Sequence, residues 1–131
     1  MRLLVVDTGP LGRLSTDLSL RLRVKKLAKN GYSAIVPAAV LAETITGTRR
    51  DAAVHWALNQ IRVVVTERRT AELAGRLRYR ALSAGVLPSG VDAIVAAHAA
   101  ESGEDAAVLT SDPGDLVSLL AAHPWVAVLT A

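Results

Sequence analysis

Four carboxylates stand out by where they fall in the chain: Asp7, Glu43, Asp92 and Asp112. Asp7 ends the apolar run of "LLVVDTGPLG" and is followed at once by Gly9 and Pro10, so a charge sits where a strand must turn. Asp112 closes "AAVLTSD" in the same way, just ahead of Pro113, and Asp92 follows Ser89 by three residues in "SGVD". Glu43 lies inside "AAVLAETI", where nearly every neighbour is small or apolar. Such carboxylates can cap helices, exchange protons or hold hard cations. Capping explains each aspartate taken alone: Asp7 before a proline suited to a first helical position, Asp112 with Asp115 three residues on, Asp92 at capping-box spacing from Ser89. Glu43 resists that reading. It is either an exposed residue on a short helix or an inward carboxylate, and the latter must be paired or bind a metal, because burying it alone is very costly.

Positioning these groups falls to short apolar runs that alternate with helix-like stretches. Residues 3–6 read as a strand, and residues 10–29 as a helix bearing Arg21, Arg23, Lys25, Lys26 and Lys29, closed by "NGY". A short strand over 34–37 is broken by Pro37, a helix carries "AAVLAETI" to Gly47, and another spans 51–60. "IRVVVTE" (61–67) is rich in β-branched residues and reads as a strand, followed by a helix over 69–84 that "GVLPSG" ends. "VDAIVAAHAAES" is then a helix, "AAVLTS" (106–111) a strand, "PGDLVSLLAAH" a helix and "WVAVLT" (125–130) a closing strand. Strands alternating with helices imply right-handed crossovers and a three-layer α/β/α architecture around a mainly parallel, twisted sheet of roughly five strands.

In an open parallel sheet, strand carboxyl ends and the helix starts that follow them converge on one edge, at the switch in strand order. Asp7 and Asp112 are both expected there. Asp92 begins the helix that leads into the Asp112 strand, and a helix packed beside the first strand would bring in Glu43. Three or four carboxylates within a few ångströms cannot all stay ionised without cations. The hard, oxygen-preferring ions Mg²⁺ and Mn²⁺ suit this set, since the chain has no Cys and no His pair spaced for zinc.

The whole composition narrows the function further. The 131 residues suit one domain, 1–131, with 51% apolar content and only Trp56, Trp125, Tyr32 and Tyr79 as aromatics, too few for a base-stacking platform. Without cysteine there is neither a disulfide framework nor a thiolate metal site. No apolar run reaches the roughly 18 residues of a membrane span and Asp7 interrupts any signal-like core, so a soluble, cytoplasmic chain is expected. All 15 Lys and Arg lie in residues 1–80, which carry a net +9, while residues 81–131 carry −6. The basic part suits a polyanionic partner and the acidic part repels it unless cations intervene; the plainer reading is two solvated surfaces. No "GxSxG" occurs, and His55, His98 and His123 lack Ser partners, which removes acyl-transfer chemistry; His98 reads as a packed or surface residue of its Ala-rich helix.

The ordered series "VVDTGPL", "LAETITG", "GVDAIVAAHA" and "LTSDPGDL" resembles the PIN-domain nucleases, and most closely the VapC-type toxins of bacterial toxin–antitoxin pairs, over essentially the whole chain. The resemblance implies that Asp7, Glu43, Asp92 and Asp112 form an acidic quartet holding one or two divalent metals, Mg²⁺ or Mn²⁺. By the same resemblance Asp115 is an auxiliary acid, and Thr110 and Thr8 supply hydroxyls beside the fourth and first acids. It implies metal-dependent hydrolysis of RNA; the basic segments, with Arg21, Arg23, Lys25, Lys26, Arg49 and Arg50, are then expected to hold the RNA backbone through phosphate contacts, the alternative being ordinary solvated helix faces. It also implies a small VapB-like antitoxin as partner and a homodimer. Gly9 departs from the family pattern, where Ser or Asn commonly follows the "DT" pair. Two other aspartate-based families fit poorly: receiver phosphoacceptors need a lysine late in the chain, and haloacid dehalogenase-type phosphotransferases need a second aspartate where Gly9 stands. A PIN-like module that binds RNA or protein without cutting, and an RNA-processing PIN nuclease with no antitoxin, are the alternatives.

Overall fold

Leucine and valine fill the first strand, β1 (Arg2–Val6), after Arg2, and alanine, valine and leucine fill the fourth, β4 (Ala106–Thr110), up to Thr110; Leu4–Val6 and the whole of β4 are buried in the middle of the molecule. Near-continuous apolar runs of this kind mark parallel strands covered on both faces. The computed structural model describes residues 2–103 and 105–131. Between these strands lie α1 (Thr8–Arg13), α2 (Leu18–Lys29), β2 (Tyr32–Pro37), a 3-10 turn (Ala38–Val40), α3 (Leu41–Thr44), α4 (Asp51–Leu58), β3 (Arg62–Val64), α5 (Arg68–Ser83) and α6 (Gly90–Glu101). After β4 come α7 (Pro113–Leu119) and β5 (Ala127–Thr130).

The five strands form one wholly parallel sheet in the order β3-β2-β1-β4-β5, with Val5 opposite Ile35 on one side and Val108 on the other. From β1 the chain steps outward to β2 and β3, then returns across the sheet to β4 and β5. Right-handed crossovers in opposite directions put their helices on opposite faces. Accordingly α1 packs with α4 on one side, and α5 packs with α6 and α7 on the other. The three-layer expectation is met. α6 buries Ala93, Val95, Ala96, Ala97, Ala99 and Ala100, and these small side chains let it lie against both β1 and β4.

Several boundaries differ from the sequence reading: α7 stops at Leu119 instead of reaching residue 123, β5 begins at Ala127 instead of residue 125, and three further differences have a visible cause or place. Residues 10–29 form two helices, because Asp17 caps the second: its Oδ1 accepts from Leu20 N at 3.0 Å, while Asp17 N turns back to Arg13 O at 2.9 Å. A short aspartate offers the backbone a local bond that competes with continuing the helix. "AAVLAETI" is a 3-10 turn and one helical turn, with Thr44 Oγ1 bonded to Val40 O at 2.7 Å. The third strand is trimmed to three residues at the sheet edge. Among the described residues no helix is long and apolar enough to cross a membrane.

Candidate functional site

Strand order reverses about β1, so the crevice between the carboxyl ends of β1 and β4 is the position where open α/β sheets take their ligands. Asp7 N extends the ladder by bonding Leu109 O at 3.0 Å, which sets Asp7 at that edge with its side chain buried. Both of its carboxylate oxygens have a partner. Oδ1 accepts from Thr8 N at 2.8 Å, the helix-capping role, and Oδ2 accepts from Thr110 Oγ1 at 2.8 Å. Thr110 is wholly buried, and its Oγ1 also accepts from Asp112 N at 3.0 Å, so one hydroxyl ties the first acid to the backbone of the fourth. Thr8 Oγ1 donates to Glu43 Oε1 at 3.0 Å, which links α1 to the one-turn α3.

Asp92 enters from the opposite layer. Ser89 caps α6 by accepting from Asp92 N at 3.0 Å, which sets Asp92 in the first turn. Its carboxyl titrates above the usual range: burial is the main cause, the negative charge of Asp7 adds to it, and that of Asp115 adds less, against opposing hydrogen bonds from Ser89. Asp7, Asp92 and Asp115 therefore share one field. Asp112 holds the cap position of α7 yet makes no side-chain capping bond, so the capping explanation does not account for its carboxylate. Among the described residues the ion pairs are Arg13–Asp17, Arg68–Glu72 and Arg69–Glu101; none uses Asp7, Glu43, Asp92, Asp112 or Asp115.

The gathering is looser than a single tight nest. Glu43 and Asp112 are exposed, and among the described residues no three His, Asp or Glu groups already stand as a set able to hold a metal ion. An inward Glu43 is corrected on this point: α3 is one turn long, too short to wrap the residue, and Thr8 is what turns it toward the edge. The donors nonetheless suit Mg²⁺ or Mn²⁺ in kind, being all oxygen, and in charge, since no Lys or Arg is paired to any of the five acids among the described residues.

The cations expected to hold a polyanion are unevenly placed. Arg21 donates to Ser15 O at 3.0 Å and lies over the Trp56 ring at 5.5 Å, and Arg23 donates to Thr130 O. Lys25 and Lys26 are exposed on the later turns of α2, which runs from the acidic edge toward the opposite one. Arg49 and Arg50 are exposed in the turn before α4, close in sequence to Glu43. That turn is braced by Asp51, which accepts from Thr46 N (2.8 Å), Thr46 Oγ1 (2.7 Å) and Gly47 N (2.7 Å). These bonds, chiefly those from Thr46, hold its carboxyl below the usual range. His98 is half-buried at the other end of α6, with Nε2 2.9 Å from Thr66 Oγ1, and burial lowers its pKa; of the two readings the sequence left open, packed or surface, it is the packed one.

Spacing alone did not single out Arg13 and Ser111. Ser111 follows Thr110, and its side chain occupies the space beside Gly9: a Cβ built there would come 2.3 Å from Ser111 Oγ. The visible signal was the missing side chain at position 9.

Residues 4–116 match the family model described as the PIN domain. One chain of the crystal structure of VapBC2 from Rickettsia felis bound to a DNA fragment from their promoter superposes with a TM-score of 0.76 at 16% identity, covering 98% of each chain. DNA-bound VapBC from Salmonella typhimurium gives 0.74 at 16% identity over 99% of this chain and 98% of that one. FitAcB from Neisseria gonorrhoeae gives 0.70 at 18% identity, over 97% and 96%. At these identities the likeness is one of fold. No curated protein sequence matches the chain.

Proposed function

The chain belongs to the PIN-domain family, and from that premise we propose that it is a divalent-metal-dependent ribonuclease, the VapC-like toxin of a toxin–antitoxin pair. The observation that carries the reading is the linkage of acids at the β1/β4 edge, Thr110 joining the Asp7 carboxylate to the Asp112 backbone and Thr8 joining α1 to Glu43, with no Lys or Arg paired to these acids among the described residues. Asp7, Glu43, Asp92 and Asp112 would hold Mg²⁺ or Mn²⁺, with Asp115 as an auxiliary acid. An ion bound there supplies a more acidic water and a Lewis acid for phosphoryl oxygen.

The chain's own residues orient the acids. Thr110 fixes the Asp7 carboxylate and the backbone of Asp112 together, so the ends of β1 and β4 act as one rigid element. Thr8 directs Glu43, and Ser89 fixes the helix start that presents Asp92. Arg49 and Arg50, on the turn that Asp51 braces, are suited to phosphate contacts that add affinity without sequence information.

A small antitoxin is the partner in this reading, in keeping with structural neighbours solved as VapBC and FitAcB complexes. A groove of about 490 Å³ between α2 and α4, with Leu14, Leu18, Leu22, Trp56 and Ile61 in its walls, suits the apolar face of an antitoxin helix. A homodimer belongs to the same reading.

The test is incubation of the purified chain with total RNA in Mg²⁺, in Mn²⁺ and in chelator, beside the Asp7→Asn variant. Cleavage in either metal that chelator and the substitution abolish is the expected result. Unchanged RNA in all three conditions would refute it and leave a module that binds RNA or protein without cutting.

A further inference from the structure

Position 9 is a notch that Ser111 fills. A Cβ at Gly9 would meet Ser111 Oγ at 2.3 Å and Ser111 Cβ at 2.8 Å, so only glycine lets the two segments approach this closely. Ser111 stands between Thr110, which holds Asp7, and Asp112. Its Oγ accepts a hydrogen bond from Arg13 Nη1 at 3.4 Å, and Asp17 Oδ2 lies 3.7 Å from Arg13 Nη2. The guanidinium is thus tethered from two sides, and the Arg13 side chain is still 44% exposed.

This tether explains an otherwise awkward arrangement. Arg13 reaches Ser111, whose neighbour in the chain is Asp112, yet among the described residues it pairs with none of the five acids of the edge, where it would take the place of a bound cation. Ser111 and Asp17 hold Arg13 at the rim instead, with donors left over: guanidinium carries five N–H groups in a planar fork that matches phosphate oxygens. We propose that Arg13 is a substrate contact, taking a backbone phosphate of the RNA strand beside the bond to be cleaved, and that Ser111 in the Gly9 notch is the residue that positions it. The proposal rests on the ribonuclease reading above. Its rival is a clamp that merely ties α1 to the β4–α7 junction.

The test uses the full chain with a labelled single-stranded RNA oligonucleotide. Binding is followed by anisotropy in chelator over a range of salt concentrations, and cleavage is followed in Mg²⁺. Arg13→Gln is expected to raise Kd and KM about three- to ten-fold for unrelated sequences, and to flatten the salt slope by about 0.7. kcat should stay within about two-fold, the pattern of lost uniform binding. Arg13→Lys should restore the slope and only part of KM, because a point charge replaces the fork. Asp17→Asn keeps a capping oxygen and loosens one of the two tethers, so KM should rise, by less than for Arg13→Gln. Ser111→Ala should raise KM in the same direction as Arg13→Gln. An Arg13→Gln protein that is less stable to urea but binds RNA with unchanged Kd and salt slope is a clamp, and overturns the proposal. If the unsubstituted chain cleaves RNA while Arg13→Gln leaves KM unchanged, this inference fails and the ribonuclease reading stands. If the unsubstituted chain binds RNA with an Arg13-dependent slope yet cleaves nothing in Mg²⁺ or Mn²⁺, the phosphate contact stands and the ribonuclease reading fails.

Discussion

Replacing Gly9 by Ala should change sign according to what stands at position 111. Gly9 lies within α1 and is not among the glycines with positive φ, so its backbone tolerates any residue. Helix propensity alone therefore predicts that Ala stabilises by about 0.5–1 kcal/mol. The contact with Ser111 opposes this. Turning the Ser111 hydroxyl away relieves its 2.3 Å clash, but the 2.8 Å approach to Ser111 Cβ is about 0.6 Å short of ordinary contact and yields only if the β4–α7 junction shifts. Overpacking of this kind costs about 1–3 kcal/mol. The net expectation is a loss of about 0.5–2 kcal/mol, which for a chain of this size lowers Tm by roughly 2–8 °C.

Urea denaturation of Gly9→Ala, Ser111→Gly and the double variant measures the coupling. In the Ser111→Gly background the obstacle is gone, and Gly9→Ala should then stabilise by about 0.5–1 kcal/mol. A change of sign between the two backgrounds is the expected result. Destabilisation of equal size in both would mean that something other than Ser111 excludes a side chain at position 9, and the notch would have to be abandoned.

Thr110→Val should cost about 1–3 kcal/mol in urea denaturation, because it leaves a buried Asp7 oxygen and the Asp112 amide without their shared hydroxyl, whereas Thr110→Ser should retain most of the stability. Asp92→Asn in chelator should be more stable than the parent at pH 7 by a few tenths to about 1 kcal/mol, given solvent screening of a half-exposed charge. The sign follows from a folded pKa above the unfolded one: the penalty is absent below about pH 4 and grows as pH rises through the folded value, so the two proteins should converge in acid, and Mg²⁺ should narrow the gap at pH 7 by stabilising the parent. Asp51 has the opposite sign. Its lowered pKa contributes stability that is present above about pH 4 and lost as pH falls through the folded value, so Asp51→Asn should flatten the acid limb of a stability–pH curve.

The sequence showed some of these features far better than others, and the physical reasons differ. β1 and β4 were legible almost to the residue, because central parallel strands are apolar on both faces and end in abrupt turn signals. The edge that carries Asp7 and Asp112 followed from strand alternation alone. The break between α1 and α2 did not, since residues 10–29 keep a helical composition throughout and the break depends on one Asp17 side chain choosing Leu20 N. The exposure of Glu43 was equally hidden, because spacing says little about a helix of one turn. Arg13 and Ser111 meet across 98 positions, and no local pattern could announce that. What the chain did display was a glycine where a hydroxyl or amide was expected; the structure fills that space with a hydroxyl from another strand end.

Neutral donors at the acidic edge have a consequence for what the edge can bind. Thr110 and Thr8 hold the carboxylates of Asp7 and Glu43 in place without cancelling their charge, which an arginine in either position would do. Hydroxyls thus separate the two demands on a buried or half-buried acid: hydrogen-bond satisfaction and retained charge. The cost is visible in Asp92, whose carboxyl is raised by its neighbours as well as by burial. A fold selected for stability alone would relieve that repulsion with one basic side chain. Arg13 reaches Ser111, the neighbour of Asp112 in the chain, yet among the described residues it is paired with Asp17 and with none of these acids. In the proposed reading the two features act together: the retained negative charge takes a metal that seeks one phosphate oxygen, and Arg13 takes a second anionic group, as successive phosphates of a nucleic acid strand would supply them.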